Sequence, residues 1–194
     1  MAKKNIAKKT TSTKKKVVAR KITPPIVKSQ STPAPSSEKF IPHVTSLQVG
    51  MAAPYFEGID QHGNKITSAD LFNFKSVIYF YPKDDTPGCT KEACNLRDNY
   101  QHLIDKGYKI IGVSPDNIAS HKKFAEKYHL PFSLIADENK NIVRAFDVWG
   151  KKNMMGNIYE GVIRTTFVLD QEGDIAEIIT KVDVENHAKQ IMQE

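Results

Sequence analysis

The sequence predicts an α/β layer fold: a mixed central β-sheet flanked by helices, an N-terminal β-hairpin, and a disordered basic tail ahead of them. Three observations carry this. Short apolar, β-rich runs such as "SVIYFYP" (76–82), "YKIIGVSPD" (108–116) and "FSLIAD" (132–137) alternate with helix-patterned segments. A late pair, "GVIRTTFVLD" and "GDIAEIITKV", reads as two strands around the turn "QEGD". Residues 1–46 carry no sustained apolar period and are rich in Lys, Thr, Ser, Pro and Ala. Such a segment cannot bury enough surface to offset its ordering entropy. The expected domains are therefore a tail and Pro/Ser linker over 1–46 and one folded body over 47–194.

Element by element, "YFEGID" and "KIT" form the hairpin, joined by a turn containing Gly63 and Asn64. "SADLFN" reads as one helical turn capped by Ser68. "SVIYFYP" is apolar on both faces, the signature of a buried central strand. The next helix places Ala93, Leu96, Tyr100, Leu103 and Ile104 on one face. After the strand at 108, Asp116 is expected to cap the helix "NIASHKKFAEKYH". "ENKNIVRAF" gives a short helix and "VENHAKQIM" the closing one, while the segment around Trp149, Met154 and Met155 reads as a packed loop.

Charge divides the chain. Residues 1–37 hold ten cations and no acid: Lys3, Lys4, Lys8, Lys9, Lys14, Lys15, Lys16, Arg20, Lys21 and Lys28. That leaves 18 of the 28 basic residues against all 22 acids, so the remainder carries a net −4. The cluster Lys8, Lys9, Lys14, Lys15, Lys16, Arg20 and Lys21 is a candidate non-specific nucleic-acid contact. A solvated leader and a nuclear address are the competing readings of the tail. A Lys-rich run with a single Arg does not resemble a transit peptide. No apolar run approaches the roughly 18 residues of a membrane span. The N-terminus lacks the apolar core of a secretory signal, so a cytoplasmic, reducing compartment is expected, with nucleoid or nuclear association if the tail binds nucleic acid.

The chemistry concentrates in "FYPKDDTPGCTKEACNLRD" (80–98), which holds both cysteines, Cys89 and Cys94. Thr86 fits an N-cap and Pro87 the first helical position, which puts Gly88 and Cys89 in the first turn of a helix. Free N–H groups and the positive dipole end there favour a thiolate, and Gly88 leaves its approach open. A lone buried Cys is usually a small hydrophobe; the Thr-Pro-Gly context at a strand-to-helix junction argues for reactivity. In an intact helix, Cα atoms five residues apart stand about 8.5 Å apart, beyond the ~7 Å limit for a disulfide. A bond between the two sulfurs would require the helix start to unwind. Two sulfurs without a neighbouring Cys or His pair make a poor zinc site, and His102 is a solitary, surface-type histidine. No metal and no cofactor are expected.

"YPKDDTPGCTKEAC" resembles the active-site segment of the peroxiredoxins, in the subfamily called bacterioferritin comigratory protein or peroxiredoxin Q. Pro82, Thr86 and Cys89 meet the family pattern P-x-x-x-T-x-x-C, and "LQVGMAAPYF", "IIGVSPD", "VWGKKNMMG" and "GVIRTTFVLDQEGDI" are similar to further family segments. Met51 departs from the charged residue usual in its segment, and the basic tail lies outside the family's common extent. The resemblance implies a thioredoxin-like fold and thiol-dependent reduction of peroxides. It makes Cys89 the peroxidatic cysteine and Cys94 the resolving one, through a transient disulfide recycled by thioredoxin or a similar dithiol. Thr86 and Gly88 then lie at the peroxide, Pro82 shields the site from water, and Arg164 stabilises the thiolate and polarises the peroxide. Without the resemblance Arg164 reads as a surface cation, and Glu92 as a solvated helix-start acid more readily than as a partner of an arginine. Resolution within one chain needs no partner subunit, so a monomer is expected. The alternative function is a nucleic-acid-tethered thiol redox sensor, distinguished from an enzyme by the absence of turnover.

Overall fold

The computed structural model describes residues 40–194. The reading of residues 1–39 as a disordered, polyanion-binding tail lies outside the described residues. Residues 43–46, grouped with the linker above, bond to the body: Thr45 Oγ1 donates to the Phe146 carbonyl at 2.9 Å and Ser46 N to Asp147 Oδ2 at 2.7 Å.

The elements run β1 (Glu57–Asp60), β2 (Lys65–Thr67), a 3-10 turn (Ser68–Leu71), β3 (Lys75–Phe80), α1 (Pro87–Asp98), α2 (Tyr100–Asp105), β4 (Tyr108–Ser114) and α3 (Ile118–Tyr128). Then come β5 (Ser133–Ala136), α4 (Asn141–Ala145), β6 (Trp149–Met154), β7 (Asn157–Val162), β8 (Thr165–Leu169), β9 (Ile175–Ile179) and α5 (His187–Met192). Seven strands form one sheet in the order β2-β1-β5-β4-β3-β8-β9. Strands β5, β4 and β3 are parallel, while β1–β2, β1–β5, β3–β8 and β8–β9 pair antiparallel, so the sheet is mixed as expected. This is the thioredoxin-like arrangement.

Strand β3 shows why the sheet is a two-sided core. Successive side chains of a strand point to opposite faces. Val77, Tyr79 and Tyr81 enter one cluster with Cys89, Ala93 and Leu96 of α1, Phe124 of α3 and Ile191 of α5. Ile78 and Phe80 enter the other with Ile142, Val143, Phe146 and Phe167. Both clusters are buried, which accounts for the unbroken apolar run.

Four local expectations are corrected. The helix after Cys89 is two helices, broken at Asn99; Leu103 is buried but Ile104 is exposed. Thr67, not Ser68, caps the 3-10 turn, in a reciprocal capping box with Asp70, while Ser68 Oγ takes the Phe56 N–H at 2.7 Å. Asn117, not Asp116, caps α3 by accepting from Ser120 N at 2.8 Å, which frees Asp116 to bind Asp84 N and Ser114 Oγ. Finally, "GVIRTTFVLD" is two strands. Its first half pairs with β6 in a separate two-stranded ribbon, where a packed loop was expected, and its second half joins the main sheet. Met154 and Met155 sit exposed near the ribbon's turn.

Leu96 is fully buried between α1 and the sheet. Leu96→Ala is expected to cost about 2–5 kcal/mol through lost burial and the cavity left behind. A lowered urea midpoint at unchanged slope would register it, and an unchanged midpoint would show that α1 is not packed as described.

Candidate active site

The site forms where β3 ends and α1 begins. Residues 82–86 join the two, and polar side chains hold them from beneath. Asp84 N donates to Asp116 Oδ2 at 2.8 Å. The Asp84 carboxylate accepts from Tyr81 Oη at 2.8 Å and Ser120 Oγ at 2.7 Å, and it contacts His121 Nδ1 at 2.9 Å. The other ring nitrogen of His121 lies 3.1 Å from the Ile135 carbonyl, so this fully buried histidine ties the loop to α3 and β5. Asp85 takes a left-handed backbone, φ 53°, which is unfavourable for a residue with a Cβ. Lys127 Nζ at 2.7 Å and Tyr128 Oη at 2.6 Å clamp its carboxylate and hold its pKa below the usual carboxylate value.

Thr86 is the N-cap of α1 by backbone geometry, and Pro87 occupies the first turn as expected. Its hydroxyl does not cap the helix; Oγ1 donates to the Lys83 carbonyl at 3.1 Å, keeping its lone pairs for another donor. Cys89 follows in the first turn, 2% exposed. Pro82, Thr86 and Gly88, in the segment that precedes it, are half-buried. A Cβ on Gly88 would stand 3.5 Å from Arg164 Nη2, an ordinary contact, so the glycine keeps this approach open without being sterically demanded.

Arg164 reaches the sulfur. It occupies the two-residue break between β7 and β8, where the chain leaves the ribbon and enters the main sheet. Its Nη2 donates to Cys89 Sγ at 3.2 Å, and its Nη1 pairs with Glu92 Oε2. Glu92 is 0% exposed. The readings of Arg164 as a surface cation and Glu92 as a solvated acid are both overturned: a buried carboxylate must find a cation, and Arg164 supplies it.

Behind Glu92 lies His187 of α5, fully buried, with Nδ1 3.2 Å from Glu92 Oε1. The two atoms are close, but their angle does not make a hydrogen bond. His187 Nε2 is 3.0 Å from Thr166 Oγ1. Burial first, then the Arg164 charge, push the His187 pKa down to about 3, against a weaker opposing pull from Asp183. The ring is therefore neutral at pH 7. Lys152 of β6 faces the same region; its Nζ donates to the Val162 carbonyl at 2.9 Å. Burial lowers its pKa, and Cys89 opposes that shift.

Arg164, Cys89 and Gly88 thus come together, with Pro82 and Thr86 in the segment that leads into the helix; Glu92, His187 and Lys152 join them, which the sequence reading did not place there. Cys94 lies five residues on in the same unbroken helix, half-buried, and both thiols are free. His102 is exposed, away from this cluster of contacts. Among the described residues no group of three or more His, Cys, Asp or Glu is placed to hold a metal ion.

Comparison with known proteins identifies this arrangement. Residues 49–178 match the AhpC/TSA family. The chain belongs to that family, in its Bcp/peroxiredoxin Q branch. It is 41% identical over 148 residues to the peroxiredoxin Bcp of Bacillus subtilis, covering 76% of this chain and 94% of that protein. It is 39% identical over 141 residues to the Escherichia coli peroxiredoxin Bcp, covering 73% and 90%. Among solved structures, Xanthomonas campestris peroxiredoxin Q superposes with a TM-score of 0.69 at 36% identity, covering 77% of this chain and 94% of that one. A structure of the bacterioferritin comigratory protein of the same organism, described for its alkyl peroxide reduction activity, gives 0.69 at 35% identity, covering 77% and 96%.

This peroxiredoxin is a thiol peroxidase, an antioxidant oxidoreductase that consumes a peroxide and a thiol reductant. Its geometry suits the reaction. Heterolysis of the O–O bond puts negative charge on the departing oxygen, and a guanidinium fixed by a buried carboxylate meets that charge without reorganising.

The neutral His187 links pH to folding. The unfolded chain protonates it near 6.5, whereas the native protein holds it neutral down to about 3. Stability from this group is intact above pH 6.5 and is lost as pH falls towards 3, by about 1.4 kcal/mol per unit. Between pH 6.5 and 4.5, wild type is expected to lose about 2–3 kcal/mol more than His187→Gln in urea unfolding. Equal losses would show that His187 is not held neutral.

Proposed function

We propose that Cys89 is the sulfur that takes the peroxide oxygen and that Cys94 resolves the product within the same chain. The single observation supporting this is the 3.2 Å contact from Arg164 Nη2 to Cys89 Sγ in the first turn of α1. The Cys89 thiolate attacks one peroxide oxygen, the O–O bond breaks, and the other oxygen leaves with a proton as an alcohol or water, giving a sulfenic acid. Thr86 and Gly88 border the path to the sulfur, Pro82 limits water access, and Arg164 balances the developing charge. The Cys94 sulfur then attacks the Cys89 sulfur. An S–S bond forms, the S–O bond breaks, and hydroxide leaves with the thiol proton as water. A dithiol, thioredoxin or a similar protein, returns the disulfide to two thiols and becomes a disulfide itself. The substrate range is hydrogen peroxide and organic hydroperoxides, in keeping with the alkyl peroxide reduction described for the Xanthomonas relative. The catalytic unit is a monomer of the cytoplasm.

The tail supports a second activity beside the first. Ten cations and no acid in residues 1–37, ahead of a body carrying a net −4, favour non-specific binding of nucleic acid.

Cys89→Ser is expected to abolish turnover, because a neutral hydroxyl is a far weaker nucleophile than a thiolate. Cys94→Ser is expected to let the sulfenic acid persist and over-oxidise. Coupled thioredoxin assays and peptide mass mapping provide the test; near-normal turnover by Cys89→Ser would reject the assignment. For the tail, the logarithm of duplex affinity is expected to fall with the logarithm of salt at a slope of roughly −5 to −9. Deleting residues 1–39, which leaves the bonds of residues 43–46 to the body in place, is expected to remove binding and spare peroxidase activity. Equal gel shifts from both forms would end the nucleic-acid reading.

A further inference from the structure

Residues 43–46 precede the stretch 49–178 that matches the family, yet they form a strap over the root of the ribbon that leads to Arg164. Thr45 Oγ1 and Ser46 N bind the Phe146 carbonyl and the Asp147 carboxylate. His43 adds a third hold: its Nε2 lies 2.9 Å from the Asp147 carbonyl oxygen and 3.0 Å from Asp147 Oδ1. Both oxygens are acceptors, so this ring nitrogen is the one that donates. The ring also covers Gly150 of β6. A Cβ at Gly150 would stand 2.4 Å from His43 Cγ and 2.5 Å from His43 Cβ, too close for the ring to stay where it is. Asp147 has φ 51°, a left-handed backbone that is unfavourable for a residue with a Cβ. The strap holds its carbonyl and both carboxylate oxygens, which keeps the turn into β6 in that shape.

A two-stranded ribbon is marginal by itself and takes its position from what holds its ends. The root of this ribbon passes the strap's hold towards the site by two routes. Val148, next to Asp147, accepts the Ile163 N–H at 2.7 Å. Gly150, under the His43 ring, pairs with Gly161 of β7. Ile163 is the neighbour of Arg164, whose Nη2 donates to Cys89 Sγ at 3.2 Å. We infer that the strap, with His43 as its positioning residue, sets the placement of Arg164 against Cys89 through the root of the ribbon. The inference rests on the reading of Cys89 as the peroxide-reactive sulfur. His43 touches no reacting atom. It acts on where the Arg164 backbone stands, while Glu92 holds the guanidinium itself. A guanidinium stabilises developing charge only when it is already in place, and a small displacement of such a group is felt as a loss of rate. Because Glu92 still holds the fork, loss of the strap weakens the arginine's effect without abolishing it.

The test uses the full chain, whose only tryptophan, Trp149, is half-buried beside Gly150 and reports on the root of the ribbon. His43→Gly is expected to shift its fluorescence emission to the red and to slow the oxidation of Cys89 by hydrogen peroxide about tenfold in stopped-flow single turnovers. His43→Gln keeps an N–H donor for Asp147 and is expected to recover most of that rate. Gly150→Ala breaks the same contact from the ribbon side with the strap otherwise complete, and it is expected to slow the same step. In the His43→Gly protein, where the ring is gone, Gly150→Ala is expected to add less than about a twofold change. In an Arg164→Lys protein the planar fork is already lost, so His43→Gly is expected to add less than about a twofold change there too. An equally large fall in the Arg164→Lys protein would show that the strap does not act through Arg164 and would overturn the inference. Peptide mapping after one equivalent of peroxide identifies the oxidised sulfur. Oxidation of Cys89 at an unchanged rate in both His43→Gly and Gly150→Ala would overturn the role of the strap alone. Oxidation that spares Cys89 would overturn the reading of that sulfur, and the role of the strap with it.

Discussion

The guanidinium of Arg164, held between a buried carboxylate and a buried thiol, is the interaction on which the arrangement of this protein depends. Glu92 and Cys89 are both almost fully removed from water, and each needs a partner there. Arg164 serves both with different nitrogens of one planar fork. Its place in the chain makes this possible. Where β7 leaves the ribbon and β8 enters the main sheet, two residues escape both ladders, and one of them is Arg164. Without that break, the residue would be fixed by strand alternation to a face of a sheet.

A second layer of polar contacts keeps the sulfur where the arginine can find it. The loop 82–86 contains a left-handed Asp85 and would not hold its shape unaided. Asp84, Tyr81, Ser120 and His121 bind one another beneath it, and Lys127 and Tyr128 hold Asp85 from the end of α3. Burying such groups adds little stability in itself, since their lost hydration offsets much of the attraction. What it fixes is one geometry for the turn that leads through Thr86 into α1, so Cys89 follows directly on a pinned loop at the end of a two-sided core strand.

The roles proposed for Cys89 and Cys94 place opposed demands on one helix. In that reading the reaction with peroxide needs α1 intact, with its first turn against Arg164. Joining Cys89 to Cys94 needs that turn undone. A short helix end whose side-chain contacts are polar and few can satisfy both, because each contact contributes only about 1 kcal/mol and can be broken without unfolding the sheet. The apolar face of α1 at Ala93 and Leu96 remains the more permanent attachment.

The sequence by itself determined the parts governed by short-range rules. The two-sided apolar run of β3, the alternation of strands and helices, the hairpin turn at Gly63 and Asn64, and the Thr-Pro-Gly-Cys helix start all follow from periods and propensities spanning a few residues. Pro82, Thr86, Cys94 and Arg164 were singled out through their match to family segments, and Cys89 through both that match and its place at a helix start. The tertiary structure alone decided what those residues touch. Glu92 and Arg164 are 72 positions apart in the chain, and Cys89 and Arg164 are 75 apart. No local pattern distinguishes a buried Glu92 from a solvated one, or a His187 neutral in the core from a surface histidine. The caps at Thr67 and Asn117 stand one residue from their expected places, and the expected caps, Ser68 and Asp116, bond to other partners. The break between β7 and β8 lies inside a β-rich run that reads as one strand, because propensity reports that a residue suits a sheet and not which sheet it joins.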